Sequence, residues 1–255
     1  MPALRDGKMC LDMKFSFAAC VGLTIHFICI SSETYAQQPS DSAFYKESLA
    51  NIHQVYLKQI GDNAQIYHGR EFIRNGQKAN GFPFFESDNL LVGSVSYQGT
   101  IYPDKNVYYN IVADELVTNN YLNNAFIVLA PEKIDSFIIR QHVFVPLISD
   151  KSNHLEKDGY YDQLYSGEPG LYAKREKRLV VGSGSEETKY IQHDDYFIKL
   201  KNVFYAVDGK RELLDILKDQ EDILKKYIRT NKLNFKKDLE SSLVLTTIYY
   251  SQLKH

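Results

Sequence analysis

The stretch from Phe84 to Val117, FFESDNLLVGSVSYQGTIYPDKNVYYNIVADELV, decides the fold. Apolar and polar residues alternate around Val95 and Tyr97, which is the period of a half-buried β-strand. Gln98-Gly99 then predicts a tight turn, because glycine tolerates the positive φ that such turns need. The alternation resumes over residues 107–111. The stretch therefore predicts an antiparallel β-meander, and it contains no nucleophile–base pair, metal cluster or phosphate loop.

Composition places the chain among globular proteins. It has 255 residues, 44% hydrophobic and 24% charged, which is enough for one sizeable core. The formal net charge of −2 gives no electrostatic footprint for nucleic acid, so we expect no nucleic-acid partner. The chain has 19 Tyr and 14 Phe but no Trp. Tyr and Phe favour pleated, half-buried surfaces, so this aromatic usage predicts a β-rich protein.

The N-terminus has the pattern of a secretory signal peptide. Lys14 precedes an apolar run over residues 15–30, and small residues precede a cleavage point after Ala36. Met13 fits the true start, which makes residues 1–12 a misassigned extension. We therefore expect an exported protein, periplasmic or associated with the outer envelope, whose mature part is a single domain over residues 37–255. No transmembrane segment is expected once the signal is removed.

Two alternatives for this segment stay open. As a membrane anchor, the apolar run of about 16 residues is short for the ~20 that a spanning helix needs. As a lipidation signal, residues 17–20 resemble a lipobox ending at Cys20, although most of the apolar run follows that cysteine. All three cysteines (Cys10, Cys20 and Cys29) precede the predicted cleavage point, so the mature chain has no disulfide, thiol nucleophile or thiolate ligand.

The rest of the chain continues the β pattern and then becomes helical. An amphipathic helix is predicted over residues 43–60. Strands are predicted over 124–129, 134–140, 142–147, 159–166, 171–181, 189–192, 196–200 and 203–207. Two or three helices are predicted within the C-terminal segment 209–254. The fold class is therefore mainly β, with an antiparallel meander forming a sandwich or partly open barrel and helices at both ends.

Three tracts are candidates for chemistry. Lys174–Arg178 is a dense basic run whose residues alternate between the two faces of a strand; it is interpreted as solvated or as protecting a sheet edge, with anion binding as the alternative. His193-Asp194-Asp195 is interpreted as a polar turn, with metal binding or acid–base chemistry as the alternative. Phe82 to Phe85 (FPFF) predicts either burial or an apolar contact patch. We assign no catalytic residue, metal or cofactor.

The order of these tracts resembles that of exported bacterial β-rich proteins that form no named family. The resemblance rests on GSVSYQGTIYPDKNVYYNIVADELV, LYSGEPGLYAKR and KRELLDILKDQEDILKKYIRTNKLNF, and it covers most of the mature chain. It carries no catalytic motif. What it implies is therefore a location in the cell envelope and a fold class, without an activity.

Three functions remain open from the sequence. The first is a non-enzymatic cell-envelope or periplasmic protein that binds a protein or small ligand partner. The second is a small-molecule or lipid carrier with an apolar β-barrel cavity. The third is a hydrolase with dispersed carboxylates. If the meander carries a ligand site, we expect it at the tyrosines that reach solvent or a cavity: Tyr97, Tyr102, Tyr108 and Tyr109.

Overall fold

The computed structural model describes residues 65–254, apart from 75, 77, 121–124 and 185, and residues 44, 45, 47–49, 51, 52, 55 and 56. These N-terminal positions are helical, as the amphipathic pattern predicts. The predicted signal peptide, its cleavage point and the three cysteines lie outside the described residues. None of the helices described has the length and hydrophobicity needed to span a membrane.

The described part of the chain forms one antiparallel sheet of eleven strands in the order β1-β5-β4-β3-β2-β6-β7-β8-β9-β10-β11. The strands are β1 (Arg70–Glu71), β2 (Leu91–Tyr97), β3 (Thr100–Asn110), β4 (Glu115–Asn119), β5 (Phe126–Val128), β6 (Ile134–Ile139), β7 (His142–Leu147), β8 (Gly159–Tyr165), β9 (Gly170–Val180), β10 (Lys189–Leu200) and β11 (Val203–Ala206). From β6 onwards each strand pairs with the next in sequence. β1 and β11 are the two open edges.

The predicted turns lie where the sequence puts them. Gln98 and Gly99 join β2 to β3 with φ of 51° and 74°, and Lys201 and Asn202 join β10 to β11 with φ of 50° and 67°. Two successive positive φ values match the right-handed twist of the flanking strands, which is why such two-residue turns connect hairpins. The residues of these two turns therefore set the register of the strands that they join.

The interior of the first eight strands is filled by aromatic rings. This first core includes Phe85, Tyr109, Phe137, Phe144 and Tyr160, and each of these is at most 4% exposed. The Phe137 and Phe144 rings stack with centroids 4.8 Å apart, and Tyr109 packs against Phe144 at the same distance. Rings at these separations leave no room for a ligand between them.

The C-terminal helices cover one face of the later strands. They are α1 (Lys210–Ile216), α2 (Glu221–Thr230) and α3 (Leu239–Lys254). Leu213, Leu224 and Leu243 from these helices pack with Leu171 of β9 and Ile198 of β10 in a second core. A smaller third cluster lies on the other face of the same strands, and its buried members are Leu155, Tyr161, Tyr172 and Phe204.

The structure confirms a mainly β antiparallel meander, with helices before and after it in the chain, and it corrects two local predictions. Residues 189–192 and 196–200 belong to one strand, β10, so His193-Asp194-Asp195 is mid-strand and the prediction of a turn is wrong. The basic run does alternate between faces, but Lys174 and Arg175 are only 4% and 5% exposed, so its interpretation as solvated is wrong for both. Carboxylates distant in sequence neutralise both of these buried cations.

Candidate functional site

A cavity of about 550 Å³ lies between the segment that links β1 to β2 and the strands opposite it. Four aromatic rings line it, together with two cationic side chains and several small or apolar residues. The lining residues of the described chain are Phe72, Ile73, Arg74, Gly76, Lys78, Ala79, Gly81, Phe82, Pro83, Phe84, Asn110, Val112, Ala113, Leu179 and Tyr190. This volume falls in the range typical of small-ligand sites.

Backbone hydrogen bonds hold the linking segment in place. Asn80 N–H donates to the Thr188 carbonyl over 2.8 Å, and Tyr190 N–H donates to the Asn80 carbonyl over 3.0 Å. Further along, Phe85 N–H donates to the Tyr109 carbonyl over 2.8 Å. Gly81, between these anchors, has a φ of 88°, a conformation that a residue with a Cβ rarely adopts. The cavity wall is thus tied to β10 at one end and to β3 at the other.

Two aromatic rings of the cavity, those of Phe72 and Phe84, belong to a row of ring contacts that continues onto the sheet. Phe84 is fully buried and stacks on Tyr108 of β3 with ring centroids 4.4 Å apart. Phe72 lies 6.2 Å from Phe84, and Phe126 lies 5.7 Å from Tyr108. These contacts fix the orientation of Phe84, so the wall is formed before any ligand arrives.

Cations lie against two of these rings. The Lys177 ammonium is 4.2 Å from the centroid of Phe82 and donates to the Phe84 carbonyl over 2.6 Å. The Arg74 guanidinium is 5.3 Å from the centroid of Phe84 and pairs with Asp88, and that hydrogen bond raises its pKa. Burial lowers the pKa of Lys177. No acidic residue is among the lining residues that the structure describes.

The four tyrosines named from the sequence occupy different places. Tyr97, Tyr102 and Tyr109 are buried in the first core, at 1%, 5% and 1% exposure. Tyr109 donates a hydrogen bond from its hydroxyl to Asp114 over 2.6 Å. Tyr108, on the other face of β3, is half-buried behind Phe84. A direct role for these residues in ligand binding stays a prediction; Tyr108 is the one adjacent to the cavity wall.

A second cluster of polar side chains surrounds the buried carboxylate of Asp162 on β8. Asp162 Oδ2 accepts from Arg175 Nη2 over 2.7 Å and from Nε over 3.1 Å, and it lies 2.7 Å from His142 Nδ1. His142 Nε2 lies 3.4 Å from Glu86. The hydrogen bond with Asp162 raises the pKa of His142, and burial opposes the rise.

Arg175 connects this cluster to the C-terminal helices. Its Nη1 donates to Asp194 of β10 over 3.0 Å and to Glu240 of α3 over 2.6 Å. Burial alone would lower the pKa of Arg175, but its hydrogen bonds to Glu240 and Asp162 raise it above the ordinary value. Tyr196 also donates to Glu240, over 3.0 Å. The guanidinium thus joins two strands and a helix.

This cluster is suited to holding elements together more than to catalysis. Both ring nitrogens of His142 face carboxylates, Asp162 and Glu86, so neither is directed at a hydroxyl group that it could activate. In the part of the chain that is described, no group of three or more His, Cys, Asp or Glu side chains has the geometry to hold a metal ion. The aromatic cavity is therefore the stronger candidate for a functional site.

Sequence reasoning found part of this cavity. The FPFF tract predicted either burial or an apolar contact patch; the structure buries Phe84 and Phe85, while Phe82 is half-buried and lines the cavity. Arg74, Lys78 and Tyr190 were missed. Tyr190 is more than 100 positions from Phe72, and no local pattern signals a contact of that range. Comparisons with protein-family models, with curated proteins and with solved structures found no match.

Proposed function

We propose that this protein is a non-enzymatic ligand-binding protein whose ligand is a small molecule held in the aromatic cavity. The observation that carries the proposal is the cavity of about 550 Å³ whose lining includes Phe72, Phe82, Phe84 and Tyr190. Small-molecule sites are concave, largely apolar and lined by aromatic rings, with a few polar groups that orient the ligand. This cavity is concave and lined by four aromatic rings, and Arg74 and Lys78 provide polar groups that could orient a ligand.

The packed interior favours this proposal over a carrier with a ligand inside the sheet. Eight aromatic side chains belong to the first core, and each is at most 7% exposed to solvent. The Asp162 cluster gives little support to a hydrolase, since its carboxylate already accepts from Arg175 and contacts His142. A ligand at the surface cavity requires no rearrangement of either core.

A cavity-filling variant tests the proposal. Ala79 lines the cavity, so Ala79→Phe places a ring in the ligand volume. We expect the full chain to bind the neutral fluorescent probe phenyl-naphthylamine and Ala79→Phe to bind it at least about tenfold more weakly. The matched control is Ala206→Phe, at an exposed position of the edge strand β11. Failure of the wild-type protein to bind both this probe and its sulfonated analogue, or equal loss in both variants, would overturn the proposal.

We also propose export with cleavage after Ala36, which rests on the basic, apolar and small-residue order of residues 14–36. Expression of the full gene in a bacterial host should give a processed chain that starts at Gln37 in the periplasmic or outer-envelope fraction. Intact mass and N-terminal sequencing would measure this. Retention of residues 14–36 in the cytoplasmic fraction would contradict export.

A further inference from the structure

We infer that the cavity selects an anionic ligand with a planar aromatic part, and that Lys78 and Lys177 provide the selectivity. This inference rests on the proposed function, because it names the ligand class of the same cavity. Aromatic pockets ordinarily attract cations through the negative face of each ring. In this cavity two cations of the protein itself, Arg74 and Lys177, already lie against the rings of Phe84 and Phe82.

The first step of the argument is the position of Lys177. Phe82 lines the cavity, and the Lys177 ammonium, which does not line it, lies against the Phe82 ring. A cation 4.2 Å from one face of the ring draws π density towards that face. The opposite face becomes a weaker partner for a ligand cation and a better partner for an electron-rich or anionic group.

The second step is the balance of charge at the wall. Arg74 and Lys78 line the cavity directly, and the lining residues that the structure describes include no carboxylate. Asp88 neutralises Arg74 in the pair that they form. Lys78 forms no salt bridge with any residue in the described ranges, and it is exposed at the rim. The local field therefore favours a ligand anion near Lys78.

The third step is the environment of Lys177. Its ammonium donates to one backbone carbonyl, that of Phe84, and it forms no salt bridge with a described carboxylate. Lys177 is half-buried and has no directly paired carboxylate, so its ammonium carries a desolvation cost that a nearby anion would reduce. A bound carboxylate, sulfonate or phosphate beside the Phe82 ring would act as an additional counter-charge for Lys177.

Two probes with the same ring skeleton separate charge from shape. Anilinonaphthalene sulfonate is anionic, and phenyl-naphthylamine lacks the sulfonate. We expect the full chain to bind the anionic probe about tenfold more tightly than the neutral one, in fluorescence titrations at low salt. Lys177→Met and Lys78→Gln should each weaken the anionic probe about fivefold and change the neutral probe less than about twofold.

The matched control is Lys199→Met. It removes an ammonium that lies 5.6 Å from the centroid of the Phe204 ring, and neither Lys199 nor Phe204 lines the cavity. Lys199→Met should leave the affinity for the anionic probe and the affinity for the neutral probe unchanged. Equal binding of the two probes by the wild-type chain would overturn the anion inference and leave the proposed function standing. Preference for the anionic probe that survives both cavity variants would also overturn it, because the anion would bind elsewhere. Binding of neither probe would overturn the proposed function itself.

Discussion

At the scale of single residues, the fold depends on charges that have been removed from water. Asp162 is 1% exposed and Arg175 is 5% exposed, and they face each other on neighbouring strands. Loss of Asp162 leaves Arg175 with the partly exposed carboxylates Asp194 and Glu240 and removes its fully buried partner, which is costly. Asp162 is the more sensitive partner, because Arg175 and His142 both contact the same oxygen.

Substitution of Asp162 by Asn should therefore be strongly destabilising. We expect a loss of about 3 kcal/mol in the free energy of unfolding, measured by urea denaturation. Asp195→Asn is the matched control, because Asp195 is a partly exposed carboxylate on β10 whose salt bridge is with exposed His193. Its loss should cost less than about 1 kcal/mol. Similar losses in both variants would contradict a special role for the buried pair.

His142 should make stability depend on pH in a defined direction. Its folded-state pKa is raised by the hydrogen bond with Asp162. Protonation therefore stabilises the fold: the contribution is complete below about pH 6.5, the ordinary value for histidine, and is lost as the pH rises through the folded-state pKa. Wild-type protein should exceed His142→Gln in stability by more at about pH 6 than at about pH 8.

A double variant identifies the cause of this pH dependence. In an Asp162→Asn background, the hydrogen-bond partner that raises the pKa of His142 is gone. The stability cost of adding His142→Gln to that background should then differ less between about pH 6 and about pH 8 than it does in the otherwise wild-type protein. In the otherwise wild-type protein, a cost of His142→Gln that is larger at about pH 8 would reverse the sign and refute the argument.

At the scale of elements, the sequence predicted what local patterns control. Alternating residues located the strands, and Gln98-Gly99 located a turn, because both depend on neighbours in the chain. The ion pairs were not predicted, since Arg175 finds Glu240 across 65 positions. The same limit applied to the cavity: the FPFF tract marked its aromatic side, but nothing local indicated that Tyr190 would complete it.

The start of β8 requires a glycine at position 159, and no local sequence pattern predicted this requirement. The φ of Gly159 is 137°, and a Cβ there would overlap the Asp114 carboxylate and the Lys174 ammonium, which pair over 2.8 Å. Gly159→Ala should cost about 3 kcal/mol of unfolding free energy, through backbone strain and disruption of that buried pair. Thermal and urea unfolding would measure the loss.

Gly76 provides the matched control for this substitution. A Cβ at Gly76 would meet no atom within 4 Å, so Gly76→Ala should change the unfolding free energy by less than about 0.5 kcal/mol. If an added methyl group is destabilising wherever it is placed, Gly159→Ala and Gly76→Ala will lose similar amounts of unfolding free energy, which would contradict the prediction. A tolerant Gly159→Ala protein would show that Asp114 and Lys174 can separate at little cost.

At the scale of the whole molecule, β8 and Arg175 connect the described cores. On β8, Tyr160 belongs to the first core, Tyr161 to the third cluster, and Leu164 packs against the second core. Arg175 adds a polar connection from Asp162 to Glu240 at the start of α3. Hydrophobic contacts that share one strand, reinforced by a buried cation, favour unfolding of the described sheet and C-terminal helices as one cooperative unit.

This cooperativity should fail when Arg175 becomes lysine. A single ammonium keeps the charge but lacks the planar fork that reaches Asp162, Asp194 and Glu240 together. Wild-type unfolding in urea should give the same midpoint by near-ultraviolet circular dichroism, dominated by buried tyrosines, and by far-ultraviolet circular dichroism. In Arg175→Lys the far-ultraviolet signal should begin to change first, as the helices detach.

Arg229→Lys, at an exposed site on α2, should leave the two curves superimposed. Superimposed curves in Arg175→Lys would mean that packing on β8 alone maintains the cooperative unit.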